Sequence, residues 1–355
     1  MSLKLVKLVF KFGSLLALTP TKIEINGLVF PSKAYALLWI ILFGLLTLSI
    51  SAFYRKASYE KFTPVILTIQ VATDTVFFIL NISTIIITAT KRHHWNRFIN
   101  ILKFLKSSNE KGDLFWFLPF LLTNVVFVVI FTYYTYIGAQ IMGVDFFKLY
   151  AVEYFQFYAQ FIVYYLIYEF LNLILNGFNS LSKTMCKILK MRSNRLHKLS
   201  FKRLKSDFCA LAECVEIFNN TFGWLLLLSM GFTTLEILRS MQYLISGKRK
   251  SVPIIIYRIM FITWHLIGTL NGVFICDLTE QRVKVMRMVA YQIVANFDGD
   301  REVEEIKKLI NVINDNFPHF TAARYFDLNR KTILGVLNAF FTFLIVAIQF
   351  EDLYN

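Results

Sequence analysis

The sequence predicts an all-α membrane protein with seven transmembrane helices, and three observations support this fold class. Hydrophobic residues make up 56% of the chain and the mean hydropathy is +0.55, too apolar for a fold with a water-facing shell. Seven segments reach the length of about 20 apolar residues that crosses a bilayer. Basic residues collect on alternate connections between these segments, which is typical of a polytopic topology.

The chain is predicted to form a single membrane domain, residues 1–355. Its first residues, with Lys4, Lys7 and Lys11 among apolar neighbours, are amphipathic and lack the long uncharged core of a signal peptide. The first span is therefore expected to insert the chain without cleavage. The seven predicted spans are residues 34–53, 64–89, 114–137, 152–177, 218–238, 252–276 and 332–350.

Orientation follows from the distribution of lysine and arginine. The connections on the side of the N-terminus hold 29 of these residues and the opposite connections hold 8. Because basic residues near spans are retained in the cytoplasm, the N-terminus is predicted to be cytoplasmic and the C-terminus extracellular. The cluster of Lys248, Arg249 and Lys250 on the outer side departs from this pattern.

Two long cytoplasmic connections, residues 178–217 and 277–331, are predicted to be helical and to form an anchor below the membrane. Helices four to six are expected to extend into the cytoplasm. In the second connection, apolar residues recur at helical spacing, and Pro318 then ends the pattern before span seven. This apolar stripe is expected to pack either within the chain or against a neighbouring subunit. Its residues are Val303, Ile306, Leu309, Ile310 and Ile313.

Several functional classes lack support in the sequence. The net charge of +15 is spread between hydrophobic runs, so it does not indicate nucleic-acid binding. The four cysteines have no metal-binding spacing, and His93 and His94 lie in a basic connection where solvation is the simpler interpretation. No catalytic motif is present. We therefore expect neither an enzyme nor a bound metal or cofactor.

The last span has one small or polar face. At 100° per residue, Gly335, Ala339, Thr342, Val346 and Gln349 fall within a narrow arc, while bulky apolar residues fill much of the rest. Such a face either lets two helices approach closely or lines a water-filled pore. Periodicity leaves both interpretations open.

The end of the chain resembles a known family. The sequence TFLIVAIQF at 342–350 is similar to the Thr-Tyr, five hydrophobic residues, Gln-Phe ending of insect gustatory receptors. Residues 325–330 resemble the segment that leads into that helix, and residues 220–223 resemble the start of the family's fifth helix. Phe343 stands where the family has tyrosine, so a role that depends on the tyrosine hydroxyl does not carry over.

The resemblance implies a tastant-gated, non-selective cation channel in the plasma membrane of chemosensory neurons. Four subunits, identical or from different gustatory receptors, would surround one pore lined by Thr342, Val346 and Gln349 of each. The alternatives are an odorant-type or auxiliary subunit that requires a co-receptor, and a metabotropic receptor. The partners implied are a sugar or bitter tastant, permeating cations and membrane lipid.

The family's ligand cavity lies in the outer half of the helix bundle, and several intramembrane polar or aromatic residues map to that depth. Charged groups in hydrocarbon require a partner or water. Three interpretations are open. Either Arg258 forms a structural ion pair with Glu153, Glu236 or Asp74, or the charged residues lie at the level of the lipid headgroups. The third interpretation is a hydrated ligand pocket. The predicted ligand-binding residues are Asp74, Tyr133, Tyr136, Gln156, Gln160, Glu236, Arg258 and Trp264.

Overall fold

The computed structural model describes residues 3–24, 27–47, 52–60, 62–106, 117–190, 197–245, 252–296, 300–335, 337–338, 341–342, 345 and 349. Within these ranges, five helices are long and apolar enough to cross a membrane. The predicted helical architecture is thus confirmed for spans two to six. The five helices are α4 (Pro64–Thr90), α6 (Leu118–Met142), α7 (Asp145–Lys190), α8 (His197–Ile245) and α9 (Val252–Asn296).

The described residues of the predicted first span belong to the helices α2 (Lys33–Leu45) and α3 (Ala52–Tyr59) and to the turn that follows α2 at residues 46–47. Helix α2 starts at Ser32, whose Oγ accepts a hydrogen bond from the backbone N of Tyr35 at 3.1 Å and caps the helix. Helix α3 follows, and residues 48–51 lie outside the described residues. Arg55 of α3, two residues past the predicted span, is buried against the bundle.

Helices α7, α8 and α9 continue well past their apolar spans, as the sequence predicted. They contain 46, 49 and 45 residues. Helix α7 lies at the centre of the bundle. In its most apolar stretch of 18 residues, 61% of the residues are buried, against 22% in the corresponding stretches of α4 and α6. Helix α7 therefore supplies the core, while α4 and α6 present most of their apolar surface outward.

Helix α10 (Asp300–Asp315) packs within the chain. Its apolar stripe is buried at Ile306, Leu309, Ile310 and Ile313, and its neighbours are α8 and α9. Of the two alternatives for this stripe, the structure thus selects intrachain packing. After α10 the chain forms a short hairpin of β3 (Thr321–Ala322) and β4 (Phe326–Asp327).

The N-terminal helix α1 (Leu3–Ser14) is part of the core, because Leu5, Val6, Val9 and Phe10 are fully buried. The ring of Phe10 contacts that of Phe170 on α7, with centroids 6.5 Å apart. A hairpin of β1 (Lys22–Glu24) and β2 (Gly27–Val29) connects α1 to α2. The amphipathic pattern of the first residues is therefore explained by packing against the bundle.

The connection between spans two and three contains a helix that the sequence analysis treated as a loop. Helix α5 (Arg92–Lys106) buries Trp95, Phe98 and Ile99 against the core. Its Asn96 Oδ1 accepts a hydrogen bond from Leu28 N at 2.7 Å, which fixes the β1–β2 hairpin. The basic residues of this segment had masked its amphipathic spacing.

Candidate functional site

Charged side chains join four helices at the end of the bundle that the predicted topology places outside. The guanidinium of Arg55 forms ion pairs with Asp74 at 3.2 Å and with Glu153, and its Nε donates to the carbonyl oxygen of Leu149. The hydroxyl of Tyr59 donates to Asp74. We call Arg55, Asp74, Glu153, Glu236 and Arg239 the outer polar cluster.

The second half of the outer polar cluster is centred on Arg239. Its Nη2 lies 2.6 Å from Glu236 Oε2, and its Nη1 lies 3.9 Å from Glu153 Oε1. Helices α3, α4, α7 and α8 thus share a network of two arginines and three carboxylates. The sequence analysis had named Arg258 as the cation for these carboxylates, and in the structure Arg55 and Arg239 form ion pairs with them.

Arg55 and Arg239 were missed because each lies just beyond the end of a predicted span. Their positions, one or two residues past a hydrophobic run, had placed them in the outer loops. The available signal was that three carboxylates within the predicted spans need compensating cations. Arg258 itself lies on α9 with its guanidinium carbon 5.9 Å from the ring centroid of Tyr257.

The other predicted ligand residues fall at different places in the bundle. Gln156 is buried and its Nε2 donates to Thr47 Oγ1 at 2.6 Å, which joins α7 to the end of α2. Tyr133 is half-buried against the core. Tyr136 is exposed on the outside of α6, where its hydroxyl accepts from Gln140 Nε2 at 2.7 Å.

A cavity of about 400 Å³ lies between α6, α7, α8 and α9. This volume is within the range of small-molecule sites. Two of the eight predicted ligand residues, Gln160 and Trp264, lie in its wall, together with Tyr164 of the predicted polar stripe. The wall is mainly aromatic and apolar, and none of the described residues that form it is Asp, Glu, Lys or Arg.

Four polar atoms of the cavity-wall residues lack a hydrogen-bond partner among the described residues: Gln160 Oε1, Tyr164 Oη, Tyr165 Oη and His265 Nε2. Gln160 Nε2 donates to Asn81 Oδ1 at 3.0 Å, which leaves Gln160 Oε1 without a donor. His265 Nε2 also lacks a partner. Both residues are more than nine-tenths buried, and unsatisfied buried polar atoms are costly.

His265 was not among the predicted site residues. It lies in the middle of span six, and its ring contacts those of Phe157, Phe232 and Phe261 at 4.5–5.9 Å between centroids. An isolated histidine within an apolar helix was the signal that could have found it.

The last helix begins at residue 330, and its described residues are helical as far as 349. Two of the three predicted pore residues, Thr342 and Gln349, are exposed, and Val346 lies outside the described residues. Gly335 on the same face is exposed, and a Cβ added there would meet no atom within 4 Å. The described part of the chain therefore leaves this face uncovered.

The segment leading into the last helix is held by α8. Asn219 Nδ2 donates to the carbonyl oxygen of His319 at 2.7 Å, and Asn219 Oδ1 accepts from Thr321 N at 3.1 Å. Asn220 Oδ1 accepts from Arg324 Nη2 at 2.8 Å. We call residues 319–329 the linker. The two internal segments that carried the family resemblance, 220–223 and 325–330, thus lie next to each other in space.

Helix α9 holds the other side of the linker. Arg330 Nε lies 2.7 Å from Asp277 Oδ2, and its guanidinium carbon lies 5.6 Å from the ring centroid of Phe274. His319 Nδ1 lies 4.0 Å from Glu280 Oε1. Helices α8 and α9 therefore both contact the chain at the start of the last helix. Among the described residues, no group of three or more His, Cys, Asp or Glu side chains could hold a metal ion.

Long apolar helices around an internal cavity define a multi-pass helical membrane protein, which confirms the predicted fold class. The sequence profile of the 7tm chemosensory receptor family matches residues 6–354. The chain therefore belongs to this family, which is a family of receptors and not of enzymes.

Solved structures show the same fold. The structure of the insect olfactory receptor OR5 from Machilis hrabei is similar with a TM-score of 0.75 and 12% identity, over 98% of each chain. The structure of OR5 in complex with eugenol is similar with a TM-score of 0.70 and 14% identity, over 98% of this chain and 99% of that one. No curated protein sequence matches the chain significantly.

Proposed function

We propose that this chain is a gustatory receptor that acts as a ligand-gated, non-selective cation channel in the plasma membrane of chemosensory neurons. The observation that carries the proposal is the cavity of about 400 Å³ within the bundle. A cavity of this size with a mainly apolar wall suits a small molecule. Its wall includes Leu328 of the linker, which connects the ligand site to the last helix.

The cavity wall favours an apolar tastant over a sugar. A sugar carries many hydroxyl groups, and each needs a hydrogen-bond partner once it leaves water. The wall offers few free polar atoms and many aromatic faces, including Phe127, Phe161 and Trp264. Of the two ligand classes that the sequence left open, we therefore propose the bitter, apolar one.

The pore is proposed to form from the last helix of four subunits. Thr342 and Gln349 are exposed on one face, and the space beside Gly335 is open. A polar or small face that its own chain leaves uncovered needs either water or a sister helix. A tetrameric arrangement around an axis provides both, and Val346 is proposed to complete the constriction with Gln349.

An odorant-type subunit that works with a co-receptor is the second candidate. The observation that favours it is the similarity of the fold to the olfactory receptor OR5, which was solved in complex with eugenol. The terminal TFLIVAIQF sequence favours the gustatory assignment. The gustatory candidate conducts current in response to ligand when the chain is expressed alone, whereas the odorant-type candidate requires a co-receptor.

The proposal is tested by expressing the chain alone in cells without other chemoreceptors and recording membrane currents. We expect a rapid cation current on application of one or more apolar alkaloids or volatile aromatics, and none with sugars. Current that requires a second subunit would select the odorant-type candidate. A response that disappears when G-protein signalling is blocked, without an intrinsic conductance, would overturn the channel proposal.

A further inference from the structure

The N-terminal helix α1 has a basic face opposite the side that packs against the bundle. Lys4, Lys7 and Lys11 are all exposed, whereas the apolar residues between them are mostly buried. At 100° per residue, the three lysines fall within an arc of about 60°. We call these three residues the lysine face. Helix α1 therefore presents a compact group of cationic side chains on its exposed side.

Contacts with three spans place the second half of α1 at the inner boundary of the membrane. The hydroxyl of Tyr35, in the first turn of α2, donates to the carbonyl oxygen of Leu15, one residue after α1. The ring centroid of Phe12 lies 5.8 Å from that of Phe120, near the start of α6. A side chain in the last turn of α4 donates to the carbonyl oxygen of Leu18 at 2.7 Å. The predicted topology places all three of these helix ends on the cytoplasmic side, so α1 lies level with them.

An apolar edge of α1 adjoins the lipid-facing surface of the bundle. Phe12 and Leu15 are 40% and 63% exposed, although both side chains are large and apolar. Beside them, α6 exposes Leu118, Leu121 and Leu122, and such residues on a membrane-spanning helix face hydrocarbon. The lysine face lies about 100° further round α1 than Phe12. This arrangement is typical of an amphipathic helix in the headgroup layer, with its apolar edge among the acyl chains.

The N-terminal segment does not neutralise its own charge. Residues 1–33 contain five lysines and one acidic residue, Glu24, which forms an ion pair with Lys22. Among the described residues, Lys7 and Lys11 have no ion-pair partner. Acidic phospholipids of the cytoplasmic leaflet attract lysines that lie close to the membrane surface. The lysine face is therefore complementary in both charge and depth to acidic lipid headgroups.

We propose that the lysine face of α1 binds the headgroup of an acidic phospholipid, such as phosphatidylserine, in the cytoplasmic leaflet. The ammonium groups contact the acidic headgroup, and Phe12 and Leu15 contact the acyl chains. The lipid thus joins α1 to the inner ends of α2 and α6. A soluble acidic protein would have to cover Phe12 and Leu15 beside the lipid-facing surface of α6, so the lipid fits the whole surface better.

The proposal is tested by native mass spectrometry of the purified full-length protein, which counts the lipids retained from an equimolar mixture of phosphatidylserine and phosphatidylcholine. Each lysine near the surface is expected to favour the acidic lipid about fivefold. The first lipid retained should therefore be mostly phosphatidylserine, and its excess should decline as the salt concentration during incubation rises. Equal retention of the two lipids would overturn the proposal and leave the lysine face to water or to an acidic protein.

The double variant Lys7→Gln/Lys11→Gln tests the lysine face. Both side chains are exposed, so its melting temperature in detergent without phospholipid should equal that of the native protein. Its preference for phosphatidylserine should fall about 25-fold. The matched control Lys187→Gln/Lys202→Gln removes the same charge from exposed positions on the cytoplasmic extensions of α7 and α8, and it should keep the native preference. An unchanged preference in the first variant, or an equal loss in both, would contradict the proposed site.

The Leu15→Gln variant tests the apolar edge. Loss of acyl-chain contact should weaken retention of both phospholipids severalfold without changing their ratio. Met288→Gln replaces a similarly exposed apolar residue on the cytoplasmic extension of α9, and it should behave as the native protein. Glycerophosphoserine, which has the headgroup without acyl chains, should not be retained. Its retention, or native lipid binding by Leu15→Gln, would show that the surface binds a soluble anion instead of a lipid.

The lipid site goes beyond the proposed function, because none of these measurements involves membrane current. A protein that conducts current but has no preference for phosphatidylserine would remove the lipid site and support the channel. A protein that shows the expected preference but conducts no current would support the lipid site and remove the channel.

Discussion

Gly223 on α8 and Ala323 in the linker are so close that a Cβ added to Gly223 would lie 2.9 Å from the backbone N of Ala323. The carbonyl oxygen of Thr321 would be 3.3 Å away. Ala323 and Arg324 have positive φ angles of 52° and 64°, which form the tight turn at this contact. The absence of a side chain at Gly223 therefore determines how closely α8 holds the segment before the last helix.

Gly223→Ala is expected to lower stability by about 1–3 kcal/mol, because backbone atoms on both sides must separate to admit the methyl group. The measurement is the melting temperature of the purified protein. Gly231→Ala on the same helix is the matched control, since nothing lies within 4 Å of its Cβ position. Equal melting temperatures for the two variants would contradict the close packing of the linker on α8.

Arg330→Gln should change gating more than stability. Arg330 is 57% exposed, so its ion pair with Asp277 contributes at most about 1 kcal/mol to folding. The same pair joins α9 to the start of the last helix, and its loss is expected to shift the ligand concentration for half-maximal current severalfold. Lys331→Gln, an exposed neighbour, is the control. Identical dose–response curves for both variants would show that the pair does not couple α9 to the pore.

Arg55→Gln should destabilise the protein strongly. It leaves Asp74 and Glu153 without their shared cation, and removal of one partner from a buried ion pair costs about 3–5 kcal/mol. The readout is the fraction of folded, monodisperse protein after detergent extraction at increasing temperature. The adjacent Lys56 is exposed, so Lys56→Gln should behave as the native protein.

Substitutions in the last helix test the pore. Thr342→Cys and Gln349→Cys should make ligand-evoked current sensitive to a charged methanethiosulfonate reagent, because both side chains are proposed to face water in the open channel. Phe341→Cys, about 100° around the helix from Thr342, should remain insensitive. Gln349→Ala should alter permeation or gating. Sensitivity at Phe341 and none at Thr342 and Gln349 would place a different face at the pore.

The orientation is tested with an epitope tag at Met1. Antibody should label this tag only after the cells are permeabilised, because the excess of basic residues predicts a cytoplasmic N-terminus. A second tag after Asn355 should be labelled on intact cells. Labelling of the Met1 tag on intact cells would show that the N-terminus is extracellular. The predicted orientation would then be wrong, and the metabotropic alternative would be favoured.

The sequence predicted those parts of the fold that depend on patterns within one helix. Spans two to six, the extensions of α7, α8 and α9, and the amphipathic α10 all have periodicity or length that can be counted. Helix α5 was missed because its basic residues suggested a loop, although Trp95, Phe98, Ile99 and Leu102 recur at helical spacing.

Contacts between distant segments were harder to predict. The pairing of Arg55 with Glu153 spans 98 residues, and neither residue contains information about the other's position. Likewise, Gln160 was recognised as an intramembrane polar residue, but only the packing of four helices shows that it lines a cavity with His265. Single-chain periodicity also could not distinguish a pore face from a packing face in the last helix.

The burial of α1 imposes an order on biogenesis. Phe10 packs against Trp95 of α5 and Phe170 of α7. Helix α1 is translated first, so it cannot complete this packing until α7 has left the ribosome. At about 5–20 residues per second, that interval is about 10–30 s. During this time the apolar face of α1 is available to chaperones or to the bilayer surface. Translation speed through the first four spans is thus expected to influence the yield of folded receptor.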